Sequence, residues 1–195
     1  MKEVNEMLKR ERIIEILKET GVLQDGHFLL SSGRHAGKYL QCAQVLQYPS
    51  YASELAEGIA RLWSDQKIDV VIGPAIGGIV VSYAVGQALG CRAIFAERRE
   101  GRMTLRRNFK LNPAERVLIV EDVVTTGGSV QEVINLLEEE RINVIGISSI
   151  IDRSGGKASF NYPFKPLLTL NIESYPADDC PLCKKGIPFT KPGSR

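Results

Sequence analysis

One stretch, residues 117–129, limits the possible folds of this chain more than any other. Four apolar residues, Val-Leu-Ile-Val, precede the acidic pair Glu121 and Asp122, and Val-Val-Thr-Thr-Gly-Gly-Ser follows. A short β-branched run is typical of a parallel strand that is buried on both faces. Apolar residues then recur at helical spacing over residues 130–137. The stretch therefore predicts a strand, a polar loop and a helix, with the loop at the carboxyl end of the strand, where open α/β sheets bind ligands.

The atoms of this loop favour a sugar phosphate. Gly127 and Gly128 allow the backbone to approach a ligand closely, and the amides at a helix N-terminus suit a phosphate. The two carboxylates would repel that phosphate, so we expect them to face sugar hydroxyls or a cation bound to the phosphate. The residues alone leave an alternative open, in which the acidic pair is a solvated strand end and Ser129 forms an ordinary capping box with Glu132.

The stretch resembles the phosphoribosyl-pyrophosphate (PRPP) loop of the type I phosphoribosyltransferases, in which an apolar run leads into two acidic residues and a hydroxyl- and glycine-rich turn. The resemblance implies that the acidic pair faces the ribose hydroxyls and that the turn holds the 5-phosphate. It also implies the fold, an α/β, doubly wound, mostly parallel sheet with a small hood formed by the N-terminal region together with part of the C-terminal tail. The PRPP-binding residues predicted in this way are Glu121, Asp122, Val123, Val124, Thr125, Thr126, Gly127, Gly128 and Ser129, together with Ile76 and Gly77 in a second turn.

Two further segments resemble orotate phosphoribosyltransferases in particular. The Phe-x-Leu-x-Ser-Gly pattern at residues 28–33 belongs in that family to the hood over the base. Those enzymes often carry a lysine where this chain has Ser31, and whether Arg34 or Lys38 replaces it is open. The family also ends a strand with an Asp-Arg pair, whose arginine contacts the orotate base. The resemblance predicts an orotate site formed by Phe28, Thr125 and Arg153.

A glycine-rich turn and an arginine-rich segment complete the resemblance. The turn at residues 73–78 is similar to the pyrophosphate turn of the family, and Ile79 stands where a nucleotide triphosphatase needs its lysine. Residues 97–107 resemble the mobile catalytic loop, which in the family's dimers reaches into the neighbouring subunit's site. This version has no histidine, so a general-acid role for histidine does not carry over. The predicted catalytic residues are Arg98, Arg99, Arg102 and Asp122.

Composition is that of an ordinary globular protein. The 195 residues are 44% hydrophobic and 25% charged, which is enough for one sizeable core. We expect a single phosphoribosyltransferase domain over 1–195, with a hood at about 1–45 plus part of 157–195 and a core at about 46–156. A net charge of +2 does not argue for nucleic acid. With no signal peptide and no run long enough to span a bilayer, we expect a cytoplasmic protein without membrane contact.

Two cysteines near the C-terminus have no assigned role. Cys180-Pro-Leu-Cys183 is half of the common four-ligand zinc arrangement, and Zn²⁺ needs further ligands. His27 and His35 are the only histidines of the chain. The spacing alone favours unbonded thiols in a tail turn over a structural metal or a labile disulfide.

The resemblance implies a function: displacement of pyrophosphate from PRPP by orotate, giving orotidine 5-monophosphate for pyrimidine (UMP) synthesis. It further implies a homodimer and Mg²⁺ that is bound through PRPP rather than by protein ligands. Two rivals stay open. A phosphoribosyltransferase for a purine or another nucleobase would share the PRPP loop, and a regulatory protein could bind PRPP without catalysis.

Overall fold

The computed structural model describes residues 8–30 and 32–192. The helices and strands of this part of the chain are, in order, α1 (Arg10–Glu19), β1 (Leu23–Leu29), β2 (His35–Leu40), α2 (Ala43–Leu46), α3 (Pro49–Leu62), β3 (Val70–Pro74), α4 (Gly77–Leu89), β4 (Arg92–Arg99), β5 (Arg102–Leu105), β6 (Arg116–Val124), α5 (Gly128–Glu139), β7 (Asn143–Asp152), β8 (Phe164–Thr169), β9 (Ser174–Tyr175) and α6 (Pro181–Lys184). The strands form two sheets. None of the described helices is long and apolar enough to cross a membrane.

The larger sheet has the strand order β5-β4-β3-β6-β7-β8. Its strands are parallel except β5, which pairs with β4 in the antiparallel direction at one edge. The strand that begins the 117–129 stretch, β6, lies between β3 and β7, so the loops after all three strands open at the same edge of the sheet. The predicted mostly parallel α/β sheet is therefore confirmed.

Strand β6 is buried on both faces, as its continuous apolar run predicts. Leu118 and Val120 pack into the core that contains α1, α3 and α4, whereas Val117 and Ile119 pack into the core under α5. All four side chains are fully buried. Because alternate residues point to opposite faces of a strand, the two cores hold β6 in register and fix the loop that follows it.

A second, three-stranded antiparallel sheet forms the hood, with the order β1-β2-β9. The C-terminal segment contributes β9 and then returns to β1, where the Thr190 amide donates to the His27 carbonyl at 2.9 Å. The Leu29 amide in turn donates to the Thr190 carbonyl at 2.9 Å. The hood is thus built from both ends of the chain. The domain boundaries near residues 45 and 157 stay predictions.

Candidate active site

A small cavity lies at the N-terminus of α5. It has a volume of about 150 Å³ and is lined by Glu121 and residues 123–130. Gly127, at the N-cap of α5, has a φ of 81°, and an added Cβ there would lie 2.8 Å from the Phe160 ring. No side chain among the described residues caps α5, which leaves its first amides available to an anion. The capping-box alternative is wrong, because Gly127 rather than Ser129 occupies the N-cap and Glu132 pairs with an arginine.

The acidic pair at the end of β6 is held by its own backbone. Glu121 accepts a hydrogen bond from the Asp122 amide at 3.0 Å, and Asp122 accepts one from the Val123 amide at 2.7 Å. Glu121 is only 8% exposed, so it is not a solvated strand end. Burial, reinforced by the charge of Asp122, raises the pKa of Glu121 to about 9. A ligand that donates hydrogen bonds or brings positive charge would lower the free-energy cost of ionising the buried Glu121.

The glycine-rich turn after β3 packs against the acidic pair. An added Cβ at Gly77 would lie 2.5 Å from the Asp122 Oδ2 atom, so only glycine allows this approach. The side chain of Ile76 is 83% exposed, and the preceding peptide, Ala75–Ile76, is cis. The structure therefore brings together the two segments that the sequence predicts for PRPP, and the turn offers its backbone rather than side chains.

A larger cleft of about 580 Å³ separates the loop from the hood. It shares Val123, Thr125 and Thr126 with the small cavity. The complete lining consists of Leu29, Leu30, Ser32, Tyr39, Leu40, Gln41, Val123, Thr125, Thr126, Arg153, Lys191 and Pro192. Arg153 follows β7, and its amide donates to the Val124 carbonyl at 2.8 Å. Within residues 8–30 and 32–192, no carboxylate pairs with Arg153 or Lys191, so two unneutralised cations face this cleft.

Comparison with known proteins identifies the family. A model of the phosphoribosyl transferase domain matches residues 42–177. The chain belongs to the phosphoribosyltransferase family. It is 54% identical over 188 residues to the orotate phosphoribosyltransferase of Caldicellulosiruptor saccharolyticus, covering 96% of this chain and 98% of that one. It is 53% identical over 183 residues to the Thermotoga maritima orotate phosphoribosyltransferase, covering 94% and 98%. The family resemblance inferred from the sequence is confirmed.

Solved structures agree with this assignment of the fold. The orotate phosphoribosyltransferase from Aeropyrum pernix superposes with a TM-score of 0.66 at 25% identity, covering 81% of this chain and 93% of that one. An adenine phosphoribosyltransferase from Thermoanaerobacter pseudethanolicus has a TM-score of 0.58 at 20% identity, covering 68% and 88%. The second match supports the phosphoribosyltransferase fold and says nothing about the base.

Phe28 lies behind a residue that lines the cleft. Its side chain is 7% exposed and is absent from the lining of the cleft. The ring packs over Gly26 and against Tyr39, with ring centroids 5.6 Å apart, and Tyr39 itself lines the cleft. Phe28 thus supports a neighbour that lines the cleft, and its contact with the base stays a prediction. A Phe in a strand pattern does not reveal which face of the hood it occupies.

The two proposed substitutes for the hood lysine are engaged elsewhere. Arg34 donates to the Ser174 hydroxyl at 2.9 Å, and Lys38 pairs with Asp25 at 2.5 Å. Neither lines the cleft, and Ser31 lies outside the described residues. The lysine that does line it is Lys191 from the C-terminal segment. Sequence spacing gave no signal for Lys191, because only the folding back of the tail brings it there.

The arginine-rich segment forms a β-hairpin instead of the predicted loop. Strand β4 runs on to Arg99, and Glu100 and Gly101 make the turn into β5 with φ values of 52° and 82°. Two consecutive positive φ values match the twist of a tight hairpin, which explains the difference. Its arginines are paired with carboxylates: Arg98 with Glu132, Arg99 with Glu100, Arg102 with Glu139, and Arg106 and Arg107 with Glu97.

Of the three predicted catalytic arginines, Arg98 alone reaches the PRPP loop within the described part of one chain. A guanidinium nitrogen of Arg98 lies 3.4 Å from the Ser129 hydroxyl, and the hydrogen bond to Glu132 raises the pKa of Arg98. Arg99 lies at the tip of the hairpin, and Arg102 pairs with Glu139 at the far end of α5. Their catalytic assignment stays a prediction.

Proposed function

We propose that this protein transfers the phosphoribosyl group of PRPP to orotate, which gives orotidine 5-monophosphate and pyrophosphate in pyrimidine (UMP) synthesis. Relatives that are 54% and 53% identical over almost the whole chain bear the name of this activity. The observation that carries the proposal is the junction of two cavities, one beside a helix N-terminus and an acidic pair, the other containing two unneutralised cations. This arrangement suits a phosphorylated sugar joined to an anionic base.

The PRPP side of the junction follows from the loop. The 5-phosphate binds at the first amides of α5 with the hydroxyls of Thr125, Thr126 and Ser129, which line the small cavity. Glu121 and Asp122 accept hydrogen bonds from the ribose hydroxyls. Displacement at the anomeric carbon passes through an oxocarbenium-like state, so the Asp122 carboxylate, and that of Glu121 once a bound cation favours its ionised form, also favour the positive charge that develops on the sugar. The turn at Gly77, in contact with Asp122, lies where the leaving pyrophosphate meets backbone amides.

The base side follows from the cleft. Orotate is a planar pyrimidine with a carboxylate, and a guanidinium can bind that carboxylate through two hydrogen bonds. Arg153 takes this role, and Lys191 supplies a second positive charge in the same cleft. Thr125 lines both cavities, so this residue can border the base while its hydroxyl donates to the 5-phosphate. A neutral purine would leave both cations without a partner, which disfavours the nucleobase rival.

Mg²⁺ fits the acidic edge of this site. Burial and the charge of Asp122 raise the pKa of Glu121 to about 9, so a nearby cation would favour its ionised form, and Asp122 adjoins the turn assigned to pyrophosphate. We expect Mg²⁺ to arrive on PRPP and, when bound, to neutralise charge on the departing pyrophosphate. No residue needs to bind it directly. We place the reaction in the cytoplasm.

A homodimer would explain why Arg99 and Arg102 lie away from their own PRPP loop. We propose that the hairpin acts in the site of the neighbouring subunit. Mixing inactive Asp122→Asn and Arg102→Ala proteins would then rebuild one intact site in each mixed dimer, and about a quarter of the activity should return after subunit exchange. If the mixture stays as inactive as its parts although mixed dimers form, the hairpin does not act across the interface.

The test of the proposed function is pyrophosphate release from PRPP and Mg²⁺, with and without orotate. We expect release only when orotate is present, with one orotidine 5-monophosphate formed for each pyrophosphate. Release without any base would indicate a PRPP hydrolase. Tight PRPP binding without release under any condition would favour the regulatory rival.

A further inference from the structure

Four potential metal ligands meet in the hood, away from the PRPP loop. They are the side chains of His27 on β1, His35 on β2, and Cys180 and Cys183 around α6. Their ligand atoms all lie within 4.8 Å of one another. Both histidines of the chain and two of its four cysteines are used, although 148 positions separate His35 from Cys183. The cluster supplies the two further ligands that the Cys-x-x-Cys spacing lacks.

The distances match a tetrahedral site with two nitrogen and two sulfur ligands. Zinc bonds of about 2.3 Å to sulfur and about 2.0–2.1 Å to nitrogen place neighbouring S and N ligands about 3.6 Å apart. The Cys180 sulfur lies 3.5 Å from His27 Nε2, and the Cys183 sulfur lies 3.4 Å from His35 Nδ1 and 3.9 Å from His27 Nε2. The two histidine nitrogens are closer, at 2.7 Å, and would move apart around an ion.

The surroundings of the cluster orient its ligands. The His27 Nδ1–H donates to the Ile187 carbonyl at 2.7 Å, which leaves the lone pair of Nε2 directed at the other three ligands. Metal-binding histidines commonly have such a second hydrogen bond. His27, His35 and Cys180 are between 1% and 4% exposed, and Phe189 packs edge-on against both imidazoles. Three of the four ligands are therefore shielded from solvent, as suits a structural zinc site.

We propose that His27, His35, Cys180 and Cys183 bind one structural Zn²⁺. Two thiols and two imidazoles in tetrahedral arrangement select zinc over harder cations such as Mg²⁺. The cysteines are unbonded, with Cys180 buried and Cys183 exposed, which leaves both sulfurs available as ligands. The spacing favours unbonded thiols in a tail turn, and the fold adds two imidazoles beside them that the spacing does not predict.

The metal fastens the C-terminal segment to the hood. Its ligands belong to β1, β2 and the tail, and the backbone of Thr190 is bonded to β1 immediately after the cluster. The next residue, Lys191, lines the large cleft. Zinc thus holds a cleft-lining segment whose other attachments to the hood include a short backbone pairing and the packing of Phe189. The ion has no part in the chemistry, and its presence does not depend on the proposed function.

The direct test measures zinc in the full-length protein, purified without a histidine tag and passed through metal-free buffer. We expect about one equivalent per chain. Replacement by Co²⁺ should give the visible ligand-field bands of a tetrahedral ion together with thiolate-to-cobalt charge transfer. Less than a tenth of an equivalent after growth with ample zinc, with no such bands on adding Co²⁺, would overturn the proposal. A Cys180–Cys183 disulfide in freshly purified, anaerobically handled protein would overturn it as well.

Variants separate a ligand from a merely buried residue. Cys180→Ser and His35→Phe should lose zinc, whereas Cys91→Ser, which changes a cysteine outside the cluster, should keep one equivalent. His35→Cys replaces one ligand by another and should still bind zinc. Zinc retained by both Cys180→Ser and His35→Phe would contradict the assignment. Tryptic cleavage after Lys184 and Lys185 should become faster on chelation of the native protein, and an unchanged rate would contradict the fastening role.

Discussion

The edge of the central sheet and the hood build their sites in opposite ways. At the edge, the phosphate cavity and the acidic pair come from one strand, one loop and one helix that are consecutive in the chain, over residues 117–130. In the hood, the histidine ligands of the metal cluster lie on β1 and β2, whereas its cysteine ligands lie around α6; His35 and Cys183, for example, are 148 positions apart. The first site is local and carries chemistry, whereas the second is assembled by the fold and holds the cleft together. Substitutions should therefore affect turnover at the edge and stability in the hood.

The largest effect is expected at Asp122. Asp122→Asn should lower kcat/KM by about 100-fold or more, since it removes a charge that stabilises the cationic transition state. The midpoint of thermal unfolding should change little, because asparagine keeps the shape of this half-buried side chain and an oxygen to accept from the Val123 amide. Asp65→Asn, at an exposed carboxylate, is the matched control. Turnover equal to that of the unaltered protein would remove Asp122 from the mechanism.

Substitution of Arg153 tests the assignment of the cleft between the sheet edge and the hood to the base. Arg153→Gln should raise the KM for orotate by about 30-fold, in line with a charged hydrogen bond of about 2 kcal/mol, and should leave the KM for PRPP nearly unchanged. Lys191→Gln should act in the same direction with a smaller effect. Steady-state kinetics with each substrate varied separately would show the difference. An equal rise of both KM values would mean that Arg153 supports the loop rather than the base.

Loss of the metal should lower stability more than turnover, which is the reverse of the effect expected at Asp122. Chelation or Cys180→Ser should lower the midpoint of thermal unfolding by about 5–10 °C, because the ion joins both ends of the chain. The turnover number at saturating substrates should fall less than twofold, while the KM for orotate rises through the loosened Lys191. Differential scanning calorimetry of Cys180→Ser beside Cys91→Ser gives the comparison. A collapse of turnover with unchanged stability would place the cluster in the chemistry.

The smallest effect concerns the pH dependence of stability. The folded-state pKa of Glu121, about 9, lies above its ordinary value of 4.5. Its contribution to stability is therefore full below about pH 4.5 and is lost as the pH rises toward 9. Glu121→Gln should stabilise the ligand-free protein by about 1–3 kcal/mol at pH 8 and by much less at pH 5. Urea unfolding at the two pH values measures this, and an equal gain at both would contradict the assigned ionisation.

Local features of the sequence predicted the sheet edge well. The apolar run, the acidic pair and the glycines identify strand, loop and helix because each depends on neighbours in the chain. The same logic does not reach Lys191, Tyr39 or the partners of Cys180, since their positions depend on how the tail returns to the hood. The arginine segment formed a hairpin instead of the expected loop because Glu100 adopts a positive φ. A glutamate in the sequence does not predict that conformation.

The most direct measurement is a competition in one reaction. Orotate, uracil, adenine and hypoxanthine are supplied at equal concentration with limiting PRPP and Mg²⁺, and the nucleotides formed are separated and quantified. We predict that orotidine 5-monophosphate is essentially the sole product and that Arg153→Gln lowers its share of the nucleotide formed. A purine nucleotide in comparable or larger amount from the unaltered protein would contradict the assignment of the cleft to an anionic base.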